Sequence, residues 1–257
     1  MQIHKKYVKQ LLTINGRVNK IKSIKNVKNM GEYMNFIKIE GLQDAYPERI
    51  EGTSEWYCCK IATNSFCDLY EAEEIVKAGN VYEGMTCALI HYPDGQVYYP
   101  FVAKENVYVE SPVFCDNVLY FIVVDFAEKT IQVVAFNTED FEQKVVLELS
   151  LEEIPSCYNL RLDVAPVMLL REENRCEGEN HILEVLWPEK KTFKVNDHQV
   201  LLFRDGDKVY FSEWFEEPEP DYNYHEQVVV RDWETGEEIE RFDGQMCRMP
   251  NGDIWRL

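Results

Sequence analysis

The sequence predicts an all-β fold assembled from repeated antiparallel sheets, and three observations support this prediction. Aromatic residues, which suit the pleated surface of a strand, make up 13% of the 257 residues. From residue 36 onward, short apolar runs alternate with Gly, Asp, Asn and Pro, as strands alternate with turns. A hairpin pattern also recurs along the chain, which is typical of repeat architectures.

The recurring hairpin consists of an apolar run, a tight turn of Asp or Asn that in most copies includes Gly, and an aromatic strand. Asn and Gly accept the positive φ values of the type I′ turns that match the twist of paired strands. The pattern occurs four times, at residues 88–99, 113–121, 201–211 and 246–255. We therefore expect a strand, a tight turn and a second strand at each of these places.

The spacing of these turns indicates a repeat of about 45 residues. Gly206 and Gly252 are 46 residues apart, and Asn117 lies 89 residues before Gly206. One repeat divides into four strands at 200–203, 208–215, 227–232 and 237–242, and a second divides at 112–115, 118–126, 130–137 and 143–149. Residues 158–199 and 40–111 match poorly, and the Glu-rich segment 69–78 predicts either a helix or an edge strand. Four short strands per repeat predict a β-propeller of about five blades, with four or six blades as alternatives.

One predicted outer hairpin carries a resemblance to known families. In residues 228–239, Asp232 is followed by the Thr235-Gly236 turn between two strands. This segment resembles the outer hairpin of WD-repeat and quinoprotein-type propellers, in which an aspartate and a Thr-Gly turn join the third and fourth strands. The resemblance covers this hairpin and, less closely, one repeat. It implies a propeller blade and indicates no particular activity.

The two ends of the chain carry separate expectations. The sequence stops after two strands of a further repeat, at 246–257. We expect these strands to pair with strands from 36–63, because a shared sheet closes the ring and leaves no open edge. Residues 1–35 are expected to form a basic arm or a short helix, and residues 36–257 a single domain.

The charge distribution argues against a nucleic-acid partner. Residues 1–38 hold nine Lys/Arg and one acid, which leaves eighteen Lys/Arg against forty-five acids, a charge of −27, in the rest of the chain. Such a body repels phosphates, so we expect the basic segment to pack on the acidic body, with binding to a partner chain or nucleic acid as the alternative. The longest apolar run, 118–124, is too short for a membrane span, and we expect no membrane association.

The cysteines suggest a reducing compartment. Eight cysteines are scattered along the chain with no C-x-x-C pair, so we expect no zinc site. Most lie in apolar stretches, where a free thiol behaves as a small buried hydrophobic group. With no evident secretory signal, these features predict a cytoplasmic protein with reduced thiols.

The segment from Glu213 to Glu226 is the candidate ligand site. It is expected to be an exposed loop between second and third strands, and it contains six acids, no Lys or Arg, and several aromatic residues. Aromatic rings stack on sugars or cations, and carboxylates accept hydrogen bonds or bind hard cations. A solvated acidic loop is the simpler alternative. The candidate ligand-binding residues are Trp214, Glu216, Glu217, Asp221, Tyr222, Tyr224 and His225.

The sequence contains no catalytic or cofactor motif. A nucleophile elbow, a phosphate loop and an H-E-x-x-H pair are all absent, so we expect no cofactor and no bound metal. Asp125 and Glu213 each follow a Tyr-Phe strand and are a weak candidate for the paired carboxylates of a glycosidase. The main hypothesis is a non-enzymatic binding or scaffold module for a protein or carbohydrate ligand. The alternative is a carbohydrate-active enzyme with carboxylates on the ligand-binding face of a propeller.

Overall fold

The computed structural model describes residues 37–42, 45–62, 67–154, 159–164, 166–173, 180–217, 223–249 and 252–257. Within these ranges the chain forms nineteen β-strands, one α-helix and a short 3-10 turn at Leu151–Glu153. The protein is therefore all-β, as predicted. The expected arm or helix at 1–35 lies outside the described residues.

Sheet 1 is an antiparallel meander of four strands with a helix inserted between its second and third strands. Its strands are β1 (Glu48–Arg49), β2 (Trp56–Ala62), β3 (Met85–His91) and β4 (Gln96–Phe101). The inserted helix α1 (Leu69–Lys77) begins with a capping box, in which the Asp68 carboxylate accepts the amide of Glu71 at 2.8 Å. The Glu-rich segment is thus a helix rather than an edge strand.

Sheet 2 has five strands, because two short strands pair in succession along the same edge of β7. Its strands are β5 (Val107–Val109), β6 (Val113–Cys115), β7 (Val118–Asp125), β8 (Thr130–Asn137) and β9 (Gln143–Ser150). Asp116 and Asn117 form the turn between β6 and β7 with φ values of 51° and 62°, as a type I′ turn requires. The predicted division of residues 112–153 is confirmed to within a residue or two.

Sheets 3 and 4 are four-stranded antiparallel meanders in sequence order. Sheet 3 contains β10 (Leu160–Asp163), β11 (Met168–Glu172), β12 (His181–Trp187) and β13 (Lys191–Val195). Sheet 4 contains β14 (Gln199–Asp205), β15 (Lys208–Glu217), β16 (Asn223–Asp232) and β17 (Glu238–Asp243). Sheet 3 has all four strands although residues 158–199 match the repeat poorly. Its third and fourth strands fit into this segment because only the short turn 188–190 separates them.

Each central sheet packs both faces against its neighbours in the sequence. On β7, Leu119, Phe121 and Val123 contact the apolar side chains of sheet 1. The alternate residues Ile122 and Val124 belong to a second apolar cluster shared with sheet 3 and α1. This two-sided burial explains why 118–124 is an unbroken apolar run. A third cluster joins sheets 3 and 4, so the four sheets stack in chain order, as blades do.

The C-terminal hairpin forms a small fifth sheet, and the expected shared sheet is not found. Strands β18 (Met246–Arg248) and β19 (Ile254–Arg256) pair with each other and, among the described residues, with no strand of sheet 1. The prediction that 246–257 pairs with 36–63 is therefore wrong for the described residues. Within 36–63 the edge strand of sheet 1 is β1, which has only two residues and offers little ladder to a new strand.

Side chains rather than strand pairing connect this hairpin to the other sheets. The Arg248 guanidinium donates to the carbonyl of Val164 at 2.6 Å and lies 3.9 Å from the carboxylates of both Asp163 and Glu51. The same guanidinium lies 5.5 Å from the ring centroid of Phe203. Arg248 thus touches sheets 3 and 4 and the β1–β2 turn, which brings the end of the chain beside its first sheet.

Candidate functional site

The candidate segment extends sheet 4 as a two-stranded ribbon, which corrects the expectation of a loop from Glu213 to Glu226. The last pairs that involve the flanking strands are Gln199 with Glu213 and Gln227 with Asp243. Beyond them the strands β15 and β16 pair only with each other in the described residues, and we call residues 214–217 and 223–226 the ribbon. Backbone hydrogen bonds from Trp214 to His198 and from Gly244 to Glu226 still hold the first pair of the ribbon. Its facing pairs are Trp214 with Glu226, Phe215 with His225, Glu216 with Tyr224 and Glu217 with Asn223.

One face of the ribbon carries two aromatic and two acidic residues. Trp214, Glu216, Tyr224 and Glu226 lie on this face because side chains alternate along a strand. The Tyr224 hydroxyl donates to Glu226 Oε1 at 2.5 Å, and the Ser212 hydroxyl donates to Oε2 of the same carboxylate at 3.3 Å. Tyr224 is 48% exposed, so a ligand can reach its ring.

The ring of Trp214 is less accessible than that of Tyr224, because it stacks on a residue in the turn that precedes β14. Its ring centroid lies 4.0 Å from that of His198, with an angle of 21° between the planes. The Trp214 amide also donates to the carbonyl of His198. Trp214 therefore attaches the base of the ribbon to the turn before β14.

The opposite face of the ribbon is aromatic near its base. The rings of Phe215 and His225 stack with centroids 5.0 Å apart and an angle of 13° between the planes. His225 Nδ1 is buried and has no hydrogen-bond partner within the described part of the chain. Near its base this face is therefore formed by two stacked rings.

Below the ribbon, Glu213 is a buried carboxylate with three side-chain donors. It accepts hydrogen bonds from Asn196 at 2.8 Å, Gln199 at 2.9 Å and Arg241 at 2.8 Å. Burial by itself raises the pKa of Glu213, but these three bonds outweigh it and hold the pKa below its ordinary value. Glu213 is therefore an ionised anchor that joins β15 to β17 and to the turn before β14.

Asp125 lies in a different sheet and has local partners. Its carboxylate binds the Lys104 ammonium at 2.8 Å and accepts the amides of Ala127 and Glu128 at 3.0 Å in the turn after β7. Burial opposes ionisation, but these contacts lower the pKa of Asp125. Asp125 belongs to sheet 2 and Glu213 to sheet 4, and the two carboxylates bind different cations, Lys104 and Arg241.

The remaining predicted residues are only partly described. Asp221 and Tyr222 lie outside the described residues, and Glu217 is placed through its backbone pair with Asn223. Sequence reasoning missed His198 and Ser212, because nothing local shows that the turn before β14 contacts the ribbon. The sequence analysis treated Glu226 only as the last residue of the candidate segment and not as a ligand-binding residue. Within the described ranges, no group of His, Cys, Asp or Glu side chains has an arrangement suited to a metal ion.

A second polar cluster, between sheets 1 and 2, was also missed. The Lys60 ammonium pairs with Glu110, and the Tyr108 hydroxyl donates to the same carboxylate at 2.6 Å. Burial, reinforced by the charge of Glu110, raises the pKa of Tyr108 far above its ordinary value. The cluster joins β2 to the segment that follows β5 and keeps buried polar groups bonded where the two sheets meet.

The sheets define the class of this protein as all-β and propeller-like, with consecutive antiparallel sheets of four or five strands packed face to face. No family model and no curated protein matches the sequence. One solved structure is similar, described as "The beta-propeller domain of the Trilobed protease from Pyrococcus furiosus reveals an open velcro topology". The match has 16% identity and a TM-score of 0.42, and it covers 77% of this chain and 57% of that chain. The class therefore rests on the chain's own sheets. In the described residues, no helix is both long enough and apolar enough to cross a bilayer.

Proposed function

We propose that this protein is a binding module and that the ribbon of sheet 4 contacts its ligand. The observation that carries the proposal is the projection of four residue pairs of β15 and β16 beyond their flanking strands. Sheet 4, whose buried side chains form a common apolar cluster with those of sheet 3, supports this projection, and binding residues are often presented by such a scaffold. Tyr224 supplies an exposed ring and Glu226 a positioned carboxylate at the same place.

A catalytic role has less support from the geometry. The two carboxylates considered for glycoside hydrolysis have separate partners, Asp125 with Lys104 and Glu213 with Arg241. A general acid needs a raised pKa, whereas local contacts lower the pKa of both groups. The binding hypothesis therefore stands alone as the proposed function.

A binding screen with two matched variants tests the proposal. The intact chain is screened against arrays of glycans and of peptides, and every hit is measured again with Tyr224→Ala. Tyr46→Ala is the control, since Tyr46 is 80% exposed and lies outside the ribbon. We expect Tyr224→Ala to weaken binding about tenfold, which corresponds to about 1.4 kcal/mol for an exposed aromatic contact, and the control to leave it unchanged. Equal affinity for both variants across all hits contradicts the assignment of binding to the ribbon.

A further inference from the structure

We infer that the ligand of the ribbon is a basic segment of a partner protein, recognised through a lysine or arginine side chain. This inference rests on the proposed function, because it concerns the same surface. We call the four residues Trp214, Glu216, Tyr224 and Glu226 the checkerboard patch. In the strand register Trp214 faces Glu226 and Glu216 faces Tyr224, so aromatic and acidic residues alternate along both strands and across them.

This arrangement suits a cation better than a neutral ligand. Facing residues on paired strands have Cβ atoms about 5 Å apart, so one ammonium or guanidinium group can touch a ring and a carboxylate together. A cation over an aromatic face contributes about 0.5 to 1 kcal/mol at an exposed site and more where it is desolvated. The planar guanidinium of arginine adds paired hydrogen bonds to a carboxylate.

The Glu226 carboxylate is held in position by two hydroxyl groups. Both of its oxygens accept hydrogen bonds from neutral hydroxyls, those of Tyr224 and Ser212. Among the described residues no Lys or Arg side chain lies within ion-pair distance of Glu226. A positioned anion without an internal counter-ion lowers the ordering cost of binding a cation.

Two other rings of sheet 4 already make the type of contact that the patch offers. Arg204 lies 3.7 Å from the ring centroid of Trp233, and Arg256 lies 3.8 Å from that of Phe242. In the part of the chain that the structure describes, no Lys or Arg lies over Trp214, whose recorded ring partner is His198. A cation from another molecule would complete the same type of contact at the patch.

The charge of the whole segment favours the same ligand class. Residues 213–226 contain six acids and no Lys or Arg, within a body whose charge beyond residue 38 is −27. Such a field attracts basic chains and repels phosphates. A neutral glycan could stack on the rings and donate hydroxyl hydrogen bonds to the carboxylates, but it would leave their charge uncompensated. A basic peptide segment is the ligand class that contacts the rings and also neutralises the carboxylates.

The experiment measures binding of short peptides to the intact chain by calorimetry. The probes are peptides in which Gly alternates with Arg, Lys or Glu. Glu226→Gln removes the charge and keeps an acceptor for Tyr224, and Glu105→Gln removes one charge from another exposed position. We expect the Arg and Lys peptides to bind, Glu226→Gln to weaken them about tenfold and Glu105→Gln less than about twofold. The Glu peptide should not bind.

The outcomes separate the inference from the proposed function. A glycan or neutral peptide that needs Tyr224 but is indifferent to Glu226→Gln overturns the basic ligand and leaves the binding site in place. Basic peptides that bind the native chain and all variants equally contradict both the basic ligand and the assignment of binding to the ribbon. Preference for a peptide of residues 1–38 over a scrambled peptide of the same composition assigns the patch to this chain's own basic segment, which overturns a partner protein as the occupant.

Discussion

The indole of Trp214 stacks on the imidazole of His198 with their centroids 4.0 Å apart, and this contact attaches the ribbon to the turn before β14. Trp214 is therefore both a member of the checkerboard patch and a structural residue. Tyr224, two pairs along the ribbon on the other strand, is 48% exposed.

Trp214→Ala should lower the free energy of unfolding by about 1 to 2 kcal/mol, because it removes a stacked, half-buried ring. Tyr224→Ala should lower it by less than about 0.5 kcal/mol, as is usual for exposed side chains. Urea unfolding followed by circular dichroism measures both. Trp214→Phe should recover much of the loss. A stable Trp214→Ala chain would mean that the contact contributes nothing to stability.

Glu213→Gln should destabilise the protein by about 2 kcal/mol at neutral pH. The change leaves Arg241 facing an amide, and breaking a buried pair costs more than breaking an exposed one. Arg241 is a third exposed, so solvent screens part of the loss. Glu240→Gln, at an exposed position of β17, is the control and should have little effect.

The pH dependence of the same site has a defined sign. Because the folded pKa of Glu213 is lowered, its contribution is present above the unfolded pKa of about 4.3 and is lost as the pH falls through the folded value. Urea midpoints measured below about pH 5 should therefore fall more steeply for the native chain than for Glu213→Gln. Parallel pH profiles would contradict the role of Glu213 as an ionised anchor.

Asp163→Asn should stabilise the protein at pH 7. Burial raises the pKa of Asp163 to about 6, although the Val164 amide and the Arg248 and Arg161 guanidinium groups favour the ionised form, and Glu51 opposes it. Between about pH 4 and about pH 6 the folded chain holds this proton more tightly than the unfolded chain, so stability falls as the pH rises. Over this pH range the free energy of unfolding should fall by about 2 to 3 kcal/mol through Asp163.

Thermal unfolding measured from about pH 4 to about pH 8 tests this prediction. The slope between about pH 4 and about pH 6 should be smaller for Asp163→Asn than for the native chain. Asp125→Asn is the control, because the pKa of Asp125 is lowered and its contribution is lost only at more acidic pH, so the slope between about pH 4 and about pH 6 should be nearly that of the native chain. A less stable Asp163→Asn chain at pH 7 would show that the carboxylate contributes more to binding Arg248 than its burial costs.

The thiols of Cys58, Cys59, Cys67 and Cys87 should stay unreactive in the folded protein, since all four side chains are buried. A contact with Cys58, whose Sγ lies 3.4 Å from that of Cys87, and burial raise the pKa of Cys87 well above its ordinary value. Burial raises the pKa of Cys59 to about 11. Thiol labelling followed by peptide mass spectrometry should modify these four cysteines only after unfolding. Rapid labelling of the native chain would contradict this expectation, and a lower melting temperature after reduction would indicate a disulfide.

Local chemistry determined the hairpins of this protein. All four predicted hairpins are present, and the Asp116-Asn117 and Gly206 turns have the positive φ values that these residue types accept. The alternation along β7 likewise determined which residues enter each core. The composition of 69–78 did not distinguish a helix from an edge strand. The capping interaction of Asp68 and Glu71 favours the helix.

Contacts between distant residues were decided only by the tertiary structure. Sequence reasoning expected closure by strand pairing, whereas the described hairpin β18–β19 is connected to the other sheets through Arg248. It expected a loop at 213–226, whereas β15 and β16 remain paired as far as Glu217 and Asn223. Turn chemistry and strand alternation act within a few residues and are visible in the sequence. The position of Arg248 and the length of the ribbon depend on sheets that meet only in the folded chain, and no local pattern encodes them.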